Sequence, residues 1–582
     1  MIKKLLFLVC IGTPIMVSSQ IAFTNSSSLL VNENVTSGCA IGVADMNNDG
    51  RDDIIRLDDA RDLEIEYQNA STDGSGNLYT RYDFGAVGGS QWGLCIADVD
   101  ENGYNDIFTG GAYNGLKLIT ASSDGSSYSS TTQGGPNIFL QNVNFADIDN
   151  DGSIDVFACH DEGISSPYKN NGSGTLTHDA NLIVAASTIP SDNSGNYGTI
   201  WIDYDNDGDQ DLYISKCRLG VGNSTDGRRV NLLFQNDGNG NFTDVAESAG
   251  LRPLEQSWSA AFEDIDNDGD LDCVLINHTN TNQIYENNGN GTFTDITSTS
   301  GIATQLDDLG TGGIQVMMED FDNDSYIDLF ITSRWTSDKH IMFKNNGNKT
   351  FSEVSGAISA GSLSVQSAAV GDLNNDGFID VLAGFATGYN SPSGNADRLY
   401  LNNGNANNWS KIRLQGVTSN LNGIGARVEL YTALGKQIRE VRSGESYGTM
   451  NSLVAHFGIA SETTITKIVV RWPSGLVDQL SGPAINQSHL IIEGSNPLTT
   501  DSFTASNFNV YPNPAHNKVT ITTDLSEDMS LAMYDITGKL ILTSNNTFNN
   551  QTDLDISALN SGVYFMHLSS GSKKYVHKLI KE

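Results

Sequence analysis

A nine-residue acidic pattern recurs seven times along this 582-residue chain: DMNNDGRDD from Asp45, DVDENGYND from Asp98, DIDNDGSID from Asp147, DYDNDGDQD from Asp203, DIDNDGDLD from Asp264, DFDNDSYID from Asp320 and DLNNDGFID from Asp372. Positions 1, 3, 5 and 9 offer side-chain oxygens. They are Asp45, Asn47, Asp49 and Asp53 in the first loop, Asp98, Asp100, Asn102 and Asp106 in the second, and Asp147, Asp149, Asp151 and Asp155 in the third. The fourth and fifth loops carry Asp203, Asp205, Asp207 and Asp211, then Asp264, Asp266, Asp268 and Asp272. The sixth and seventh carry Asp320, Asp322, Asp324 and Asp328, then Asp372, Asn374, Asp376 and Asp380. Oxygen donors at this spacing around a tight turn wrap one hard cation, with the carbonyl of position 7 filling in, and calcium suits the set. An EF-hand would need an acidic twelfth position and flanking helices. Here the twelfth positions are Arg56, Thr109, Ala158, Ile214, Leu275, Ile331 and Ala383, and strand-like runs such as LYISK and CVLIN follow the loops. Each loop therefore joins two strands, and up to seven calcium ions are expected. Position 6 is glycine except at Ser325, where a positive φ costs strain, so the sixth loop and the first are expected to bind most weakly.

The loops account for much of the charge. Asp plus Glu number 70 against 32 Lys plus Arg, a net charge of −38, which excludes a protein that grips nucleic-acid phosphates. The elements that must position the loops follow from their spacing, which runs from 49 residues (Asp98 to Asp147) to 61 (Asp203 to Asp264), the length of one four-stranded propeller blade. A second signature, LLFQNDGNGNFTDV from Leu232, QIYENNGNGTFTDI from Gln283 and IMFKNNGNKTFSEV from Ile341, reads as a hairpin with its turn at NDGN or NNGN. The seventh repeat stops at RLYLNNGNANNW from Arg398, and IAFTNSSSL from Ile21 is the strand that can complete it. Such an overlap closes a ring and removes sheet edges. The reading is an all-β fold: a seven-bladed β-propeller over residues 20–405, followed by two small β-sandwich-like domains.

These loops resemble the calcium loops of FG-GAP or VCBS repeats, which build the propellers of integrin α-subunits, and the whole arrangement is similar to bacterial members of the cartilage acidic protein family. GIGARVELY from Gly423, REVRSGESYGTMNS from Arg439, VAHFGIA from Val454 and IVVRWPSGLVDQL from Ile468 resemble an ASPIC/UnbV domain, assigned to 406–494. The resemblance supplies no reaction, and Arg439, Arg442 and His456 are read as structural. After a linker at 495–506, NVYPNPAHNKVTI from Asn509, LAMYDITGKLI from Leu531 and GVYFMHL from Gly562 resemble a type A sorting domain of type IX secretion, assigned to 507–582. That likeness implies export across the outer membrane by the type IX machinery and release or surface attachment. Residues 1–19, with Lys3 and Lys4 before an apolar stretch, read as a secretory signal, and no later run is long enough to be a transmembrane helix. Five cysteines remain after it (Cys39, Cys95, Cys159, Cys217 and Cys273), and buried free thiols are expected.

If the loops lie on one face, the start of each innermost strand and the end of the next meet on the other. Trp92, Tyr197 and Trp258 precede their loops by six residues, while Tyr113, His160, Lys216, His278, Arg334 and Trp335 follow theirs. Aromatic faces mixed with polar tips suit sugar rings or a polypeptide, so this rim is the expected ligand face. The function expected is a calcium-binding, secreted or cell-surface adhesion module for a glycan or protein. The alternative is an extracellular polysaccharide-degrading enzyme, lyase or hydrolase, at the same mouth. No G-x-S-x-G, H-E-x-x-H or phosphate-cradling glycine loop is present, so no catalytic residue is assigned.

Overall fold

The computed structural model describes residues 21–187, 189–278, 281–334, 340–388, 391–498, 508–523, 530–535, 539–544, 551–570 and 573–582. The signal segment, most of the linker and Trp335 lie outside the described residues. Strands dominate, and one short α-helix, Ala303–Leu309, occurs among the described residues. The chain divides into two compact units, Met1–Pro497 and Leu498–Glu582.

Seven antiparallel sheets build a β-propeller in the first unit. Their innermost strands, Ile41–Ala44, Gly93–Ala97, Leu140–Ala146, Asn196–Ile202, Ser257–Glu263, Gly313–Glu319 and Ser367–Gly371, each lie against the next, and the last lies against the first. The second strand of each blade is covered on both faces, so it reads as a continuous apolar run; Asp211–Lys216 (DLYISK) is buried at every position. The seventh blade is closed as the sequence overlap implies: Phe23–Asn25 pairs with Arg398–Asn402, with Phe23 opposite Asn402. The fourth blade has a fifth strand, Val184–Ala186, parallel to Asn241–Asp244. The five cysteines are buried, and no disulfide joins them among the described residues.

Residues 409–492 form two further sheets. One places Trp409–Gln415 between Ala455–Gly458 and Ser488–Ile492, and the other runs Gly435–Glu440, Arg427–Thr432, Lys467–Arg471, Val477–Ser481. This domain is bound into the propeller rather than strung after it. Its segment 443–452 fills the axis and touches the inner strand of every blade. Val43 N–H donates to the Met450 carbonyl (2.9 Å), Leu94 N–H to Gly448 O (3.3 Å), Phe145 N–H to Ser443 O (3.2 Å) and Ser452 N–H to Val370 O (3.0 Å). Val316 N–H donates to Ser446 Oγ (3.1 Å), and the Tyr447 ring lies 5.6 Å from Trp258 and 6.3 Å from Tyr197. Gly198 of the fourth inner strand is needed here, because a Cβ would stand 2.7 Å from the Ser446 carbonyl. The apolar core of blades 2 and 3 continues through Val441 and Ala455 into Val428, Phe457 and Trp472.

The second unit has two sheets, Phe508–Tyr511, Lys518–Thr523 and Gln551–Asp555 in one, and Leu540–Ser544, Ser530–Asp535, Gly562–Ser570 and Lys573–Lys581 in the other. Val510, Val519, Ile521, Leu531, Met533 and Met566 share its core.

Candidate metal centres and the opposite rim

Every acidic loop joins an innermost strand to the second strand of its blade, and all seven adopt one geometry. Position 4 is left-handed (φ 55° to 62°), and asparagine holds six of the seven places; position 6 has φ between 83° and 99°, Ser325 included. The first aspartate accepts the N–H of position 5 on Oδ1 at 2.9–3.2 Å. Its Oδ2 accepts the N–H of position 6 at 2.7–3.1 Å. The turn is thereby locked with each carboxylate keeping lone pairs for an ion.

The ninth-position aspartate does more than complete a ligand set. Its Oδ2 accepts the N–H of position 2 at 2.8–3.3 Å. Its Oδ1 accepts an N–H from the end of the third strand (Gln68, Ala121, Asn170, Asn236, Asn287, Asn345 and Asn402) at 2.7–2.8 Å. One buried carboxylate thus ties loop, second strand and third strand together. The asparagine there was not singled out from the sequence. Asn287 Nδ2 donates to Leu271 O in its own blade (3.2 Å) and to Tyr204 O in the blade before (2.8 Å), and Asn345 and Asn402 repeat the pattern with Ile265 and Phe321. Its signal was the Asn that recurs as the second residue of QNDGN, ENNGN, KNNGN and LNNGN.

In loops 2 to 6 one oxygen from each of positions 1, 3 and 9 lies within 4.8 Å of the others. Asp205 Oδ1 and Asp322 Oδ1, at position 3, are buried with no hydrogen-bond partner among the described residues. Burial, and after it the neighbouring carboxylates, push these groups up: Asp98 to about 6, Asp147, Asp203 and Asp264 to about 7, Asp106 to about 7, Asp155 to about 8 and Asp211 to about 9. Convergent hard oxygens, orphaned acceptors and mutual repulsion are what a divalent cation relieves, so the donor set fits calcium. The first and seventh loops, with Asn47 and Asn374 at position 3, and the second, with Asn102 at position 5, each supply one acid fewer.

The 409–492 domain covers this loop face. Lys411 Nζ donates to Asp372 Oδ2 (2.6 Å) and Asn375 Oδ1 (2.7 Å). Asn422 accepts the Asp98 N–H (2.7 Å) and donates to Asn105 (2.8 Å), Arg427 bonds Asn206 and the Gly269 carbonyl, and Ala460 N–H donates to Asn323 O (2.8 Å). Arg439, Arg442 and His456 are buried: Arg439 packs over Phe457, Arg442 pairs with Glu263 (2.9 Å), and burial pushes His456 down to about 4 beside the Gly377 carbonyl.

On the far side, seven of the nine expected rim residues form one continuous train across blades 2 to 6, Lys216 standing apart from it. Trp92 packs edge-on against Phe139 (4.6 Å), Phe139 against Tyr113 (5.9 Å) and Tyr113 against His160 (6.1 Å). Tyr113 OH donates to Glu162 (2.5 Å), Arg218 bridges Glu162 (3.2 Å) and Asp161 (2.9 Å), and Tyr197 OH donates to Asp161 (3.2 Å). Tyr197 then meets Trp258 (5.1 Å), which meets His278 (4.9 Å) and the Arg334 guanidinium (5.7 Å). Their exposure differs. Tyr197, Trp258 and Lys216 are buried, the first two against Tyr447 and the last in an ion pair with Asp192. Trp92, His160, His278 and Arg334 are half-buried, and Tyr113 is 45% exposed. His160 Nδ1 accepts the N–H of Phe139 (3.3 Å) and of Glu162 (3.1 Å), which leaves Nε2 as the donor. Burial, then Arg334 and Arg229, push His278 down to about 4. Phe139, Glu162 and Tyr447 were not among the expected rim residues; Tyr447 arrives from the other domain, and no local signal in its SGESYGTMNS run marks it.

The FG-GAP-like repeat model matches residues 45–109, 98–158, 147–214, 220–275, 264–331 and 320–383, more than half the chain and all seven loops. The ASPIC and UnbV model matches 416–497, and the secretion system C-terminal sorting domain matches 509–582. Curated relatives are cartilage acidic protein 1 of Xenopus tropicalis, 27% identical over 268 residues (42% of this chain, 38% of that protein), and of Homo sapiens, 26% identical over 260 residues (42% and 37%). The chain thus matches well under half the length of these relatives. Among solved structures, an Agrocybe aegerita lectin described for its recognition of non-reducing terminal N-acetylglucosamine aligns over 55% of this chain and 81% of its own at 17% identity, with a TM-score of 0.37, too slight a likeness to carry an argument. The C-terminal match marks the protein for type IX secretion, to the medium or the outer cell surface.

Proposed function

This chain belongs to the FG-GAP-like repeat family, and from that premise we infer that it is a calcium-held extracellular adhesion module which grips a glycan or glycoprotein with the rim opposite its metal loops. In this reading residues 1–19 leave with the signal, 495–506 are a tether, and 507–582 serve export. Calcium is structural: in the loops that load it, the side-chain oxygens of positions 1, 3, 5 and 9 hold it, and it neutralises carboxylates that otherwise repel one another inside the fold.

The presentation of Tyr113 carries the ligand reading. It sits at φ +56°, a conformation a tyrosine seldom adopts, with its ring exposed and its hydroxyl clamped by Glu162, which Arg218 holds in turn. A fixed aromatic face ringed by His160, Glu162 and Arg218 offers a stacking surface with donors and acceptors at its edge, the chemistry of a sugar subsite. The loop face lies beneath the ASPIC/UnbV-like domain and the axis is filled by Tyr447, which leaves the rim as the face for a partner.

The test is retention on immobilised polysaccharides and a glycan array, with size-exclusion of the incubated polysaccharides run alongside. The protein is expected to bind without shortening any chain, and Tyr113→Ala to weaken binding at least tenfold while melting as the parent does. Equal binding by Tyr113→Ala contradicts the rim assignment, and shortened chains contradict a binding-only role.

A further inference from the structure

The residue before the third-strand asparagine differs from blade to blade, and in the third, fourth and sixth blades it reaches the metal loop of its own blade. It is Gln235 in the fourth blade, Glu286 in the fifth, Leu401 in the seventh and lysine in the third and sixth. Gln235 donates to Asp205 (2.6 Å) and adds no charge. Lys169 reaches Asp149 and Asp151 at the edge of the third loop, where all three side chains are open to solvent (38%, 29% and 38% exposed). Lys349 reaches the one carboxylate of Asp266 in the fifth loop and Lys411 the one carboxylate of Asp372 in the seventh, whereas Lys344 engages two in its loop and is less exposed than Lys169. The Lys344 ammonium hydrogen-bonds the carboxylates of Asp322 and Asp324, positions 3 and 5, and is drawn also by the charge of Asp328, position 9. Asp322 is 4% exposed, Lys344 21% and Asp324 25%, so, compared with that of Lys169, the ammonium sits deeper in its acid cluster. The same loop alone has a non-glycine residue, Ser325, at the sharp turn, held at φ +83°.

Resting on the calcium reading above, we propose that Lys344 is a built-in cation: its ammonium takes the place of calcium in the sixth loop, which stays ion-free when the other loops load. An ammonium tethered one strand away is present at high effective concentration, and calcium binds only in the fraction of molecules where the lysine has swung out, so the apparent affinity falls by that fraction. The sixth blade thereby keeps its loop folded without calcium. Its backbone contacts to the covering domain, Ala460 N–H to Asn323 O among them, then persist when the other loops are empty.

Native mass spectrometry of the intact secreted protein at saturating calcium tests this. Lys344→Met and Lys344→Gln are expected to carry one calcium more than the parent, and to gain more in Tm from calcium than the parent does. An unchanged, non-zero count in both variants overturns the proposal, whereas a parent with no calcium at all overturns the calcium reading instead. Independently of any variant, crystals of the parent soaked in manganese are expected to show anomalous density in other loops and none in the sixth. A sixth-loop peak as strong as the others overturns the proposal.

Discussion

Truncating Tyr447 to alanine tests whether the propeller and the 409–492 domain are one folding unit. Tyr447 is 1% exposed, its ring meets Trp258 at 5.6 Å and Tyr197 at 6.3 Å, and its hydroxyl donates to Gln141 Oε1 (2.5 Å). Removing a buried aromatic side chain costs about 3–5 kcal/mol where the site cannot collapse. Collapse is barred here, because the surrounding inner strands are fixed by their own ladders and by the axial hydrogen bonds on either side of the residue. Tyr447→Phe removes the hydroxyl alone and orphans one buried acceptor, for about 1–2 kcal/mol. The assay is urea unfolding in saturating calcium, followed by the fluorescence of variants that keep one tryptophan, Trp201 in the blades or Trp472 in the covering domain, with every other tryptophan replaced by phenylalanine. The transitions are expected to coincide in the parent and to move together in Tyr447→Ala. A loss under about 1 kcal/mol, or separate transitions in the parent, refutes the single-unit reasoning.

The loops and the domain that covers them give three further expectations. Asp272→Ala strips the acceptor from both Asn287 N–H and Ile265 N–H and is expected to lower stability by about 2–5 kcal/mol with or without calcium, whereas Asp268→Ala, at position 5, weakens the protein chiefly in calcium; equal losses in EDTA contradict the distinction. The metal-free protein is expected to lose stability as pH rises from about 5 to 9, because burial raises Asp98, Asp147, Asp155 and Asp211 to about 6, 7, 8 and 9 in the folded chain, which then binds more protons than the unfolded one; calcium, competing with those protons, reverses the slope, and a melting series in EDTA and in calcium reads both signs. Burial disfavours the Glu493 charge, but the Ser474 hydroxyl and the N–H groups of Val417, Ser419 and Thr418 overcome it and hold the group at about 2, so it stabilises above about pH 4.5 and that support is lost as pH falls toward 2; Glu493→Gln is expected to cost about 3 kcal/mol at pH 7 and to flatten the acid limb, and a parent-like acid limb contradicts it.

Where the sequence speaks through short-range spacing, it was legible. The nine-residue loops, the hairpins after them and the Ile21 strand that completes the seventh blade all express local periodicity or a missing strand, and each stands in the structure as a loop, a hairpin or an edge pairing. What lay hidden depends on distant contacts. Nothing in SGESYGTMNS declares that it fills a propeller axis, because its glycines and serines are chosen by the strands they touch, hundreds of residues away in the chain. Tyr197 and Trp258 were readable as rim aromatics, but their burial is set by Tyr447 from another domain. Lys216 looked like a free cation, and its partner, Asp192, lies in an insertion with no repeat pattern. Lys344 shows the same limit from the other side: a lysine on a strand looks like ordinary surface until the loop it faces is folded.

The most direct test of the account is the melting midpoint of the secreted protein at pH 8 as free calcium is raised from EDTA to saturation, with bound calcium counted in the same samples. A ligand that binds only the folded state raises stability with the logarithm of its concentration, so the midpoint is expected to climb steadily and the protein to hold several ions. A midpoint indifferent to calcium, in a protein that carries none, contradicts the account at its centre.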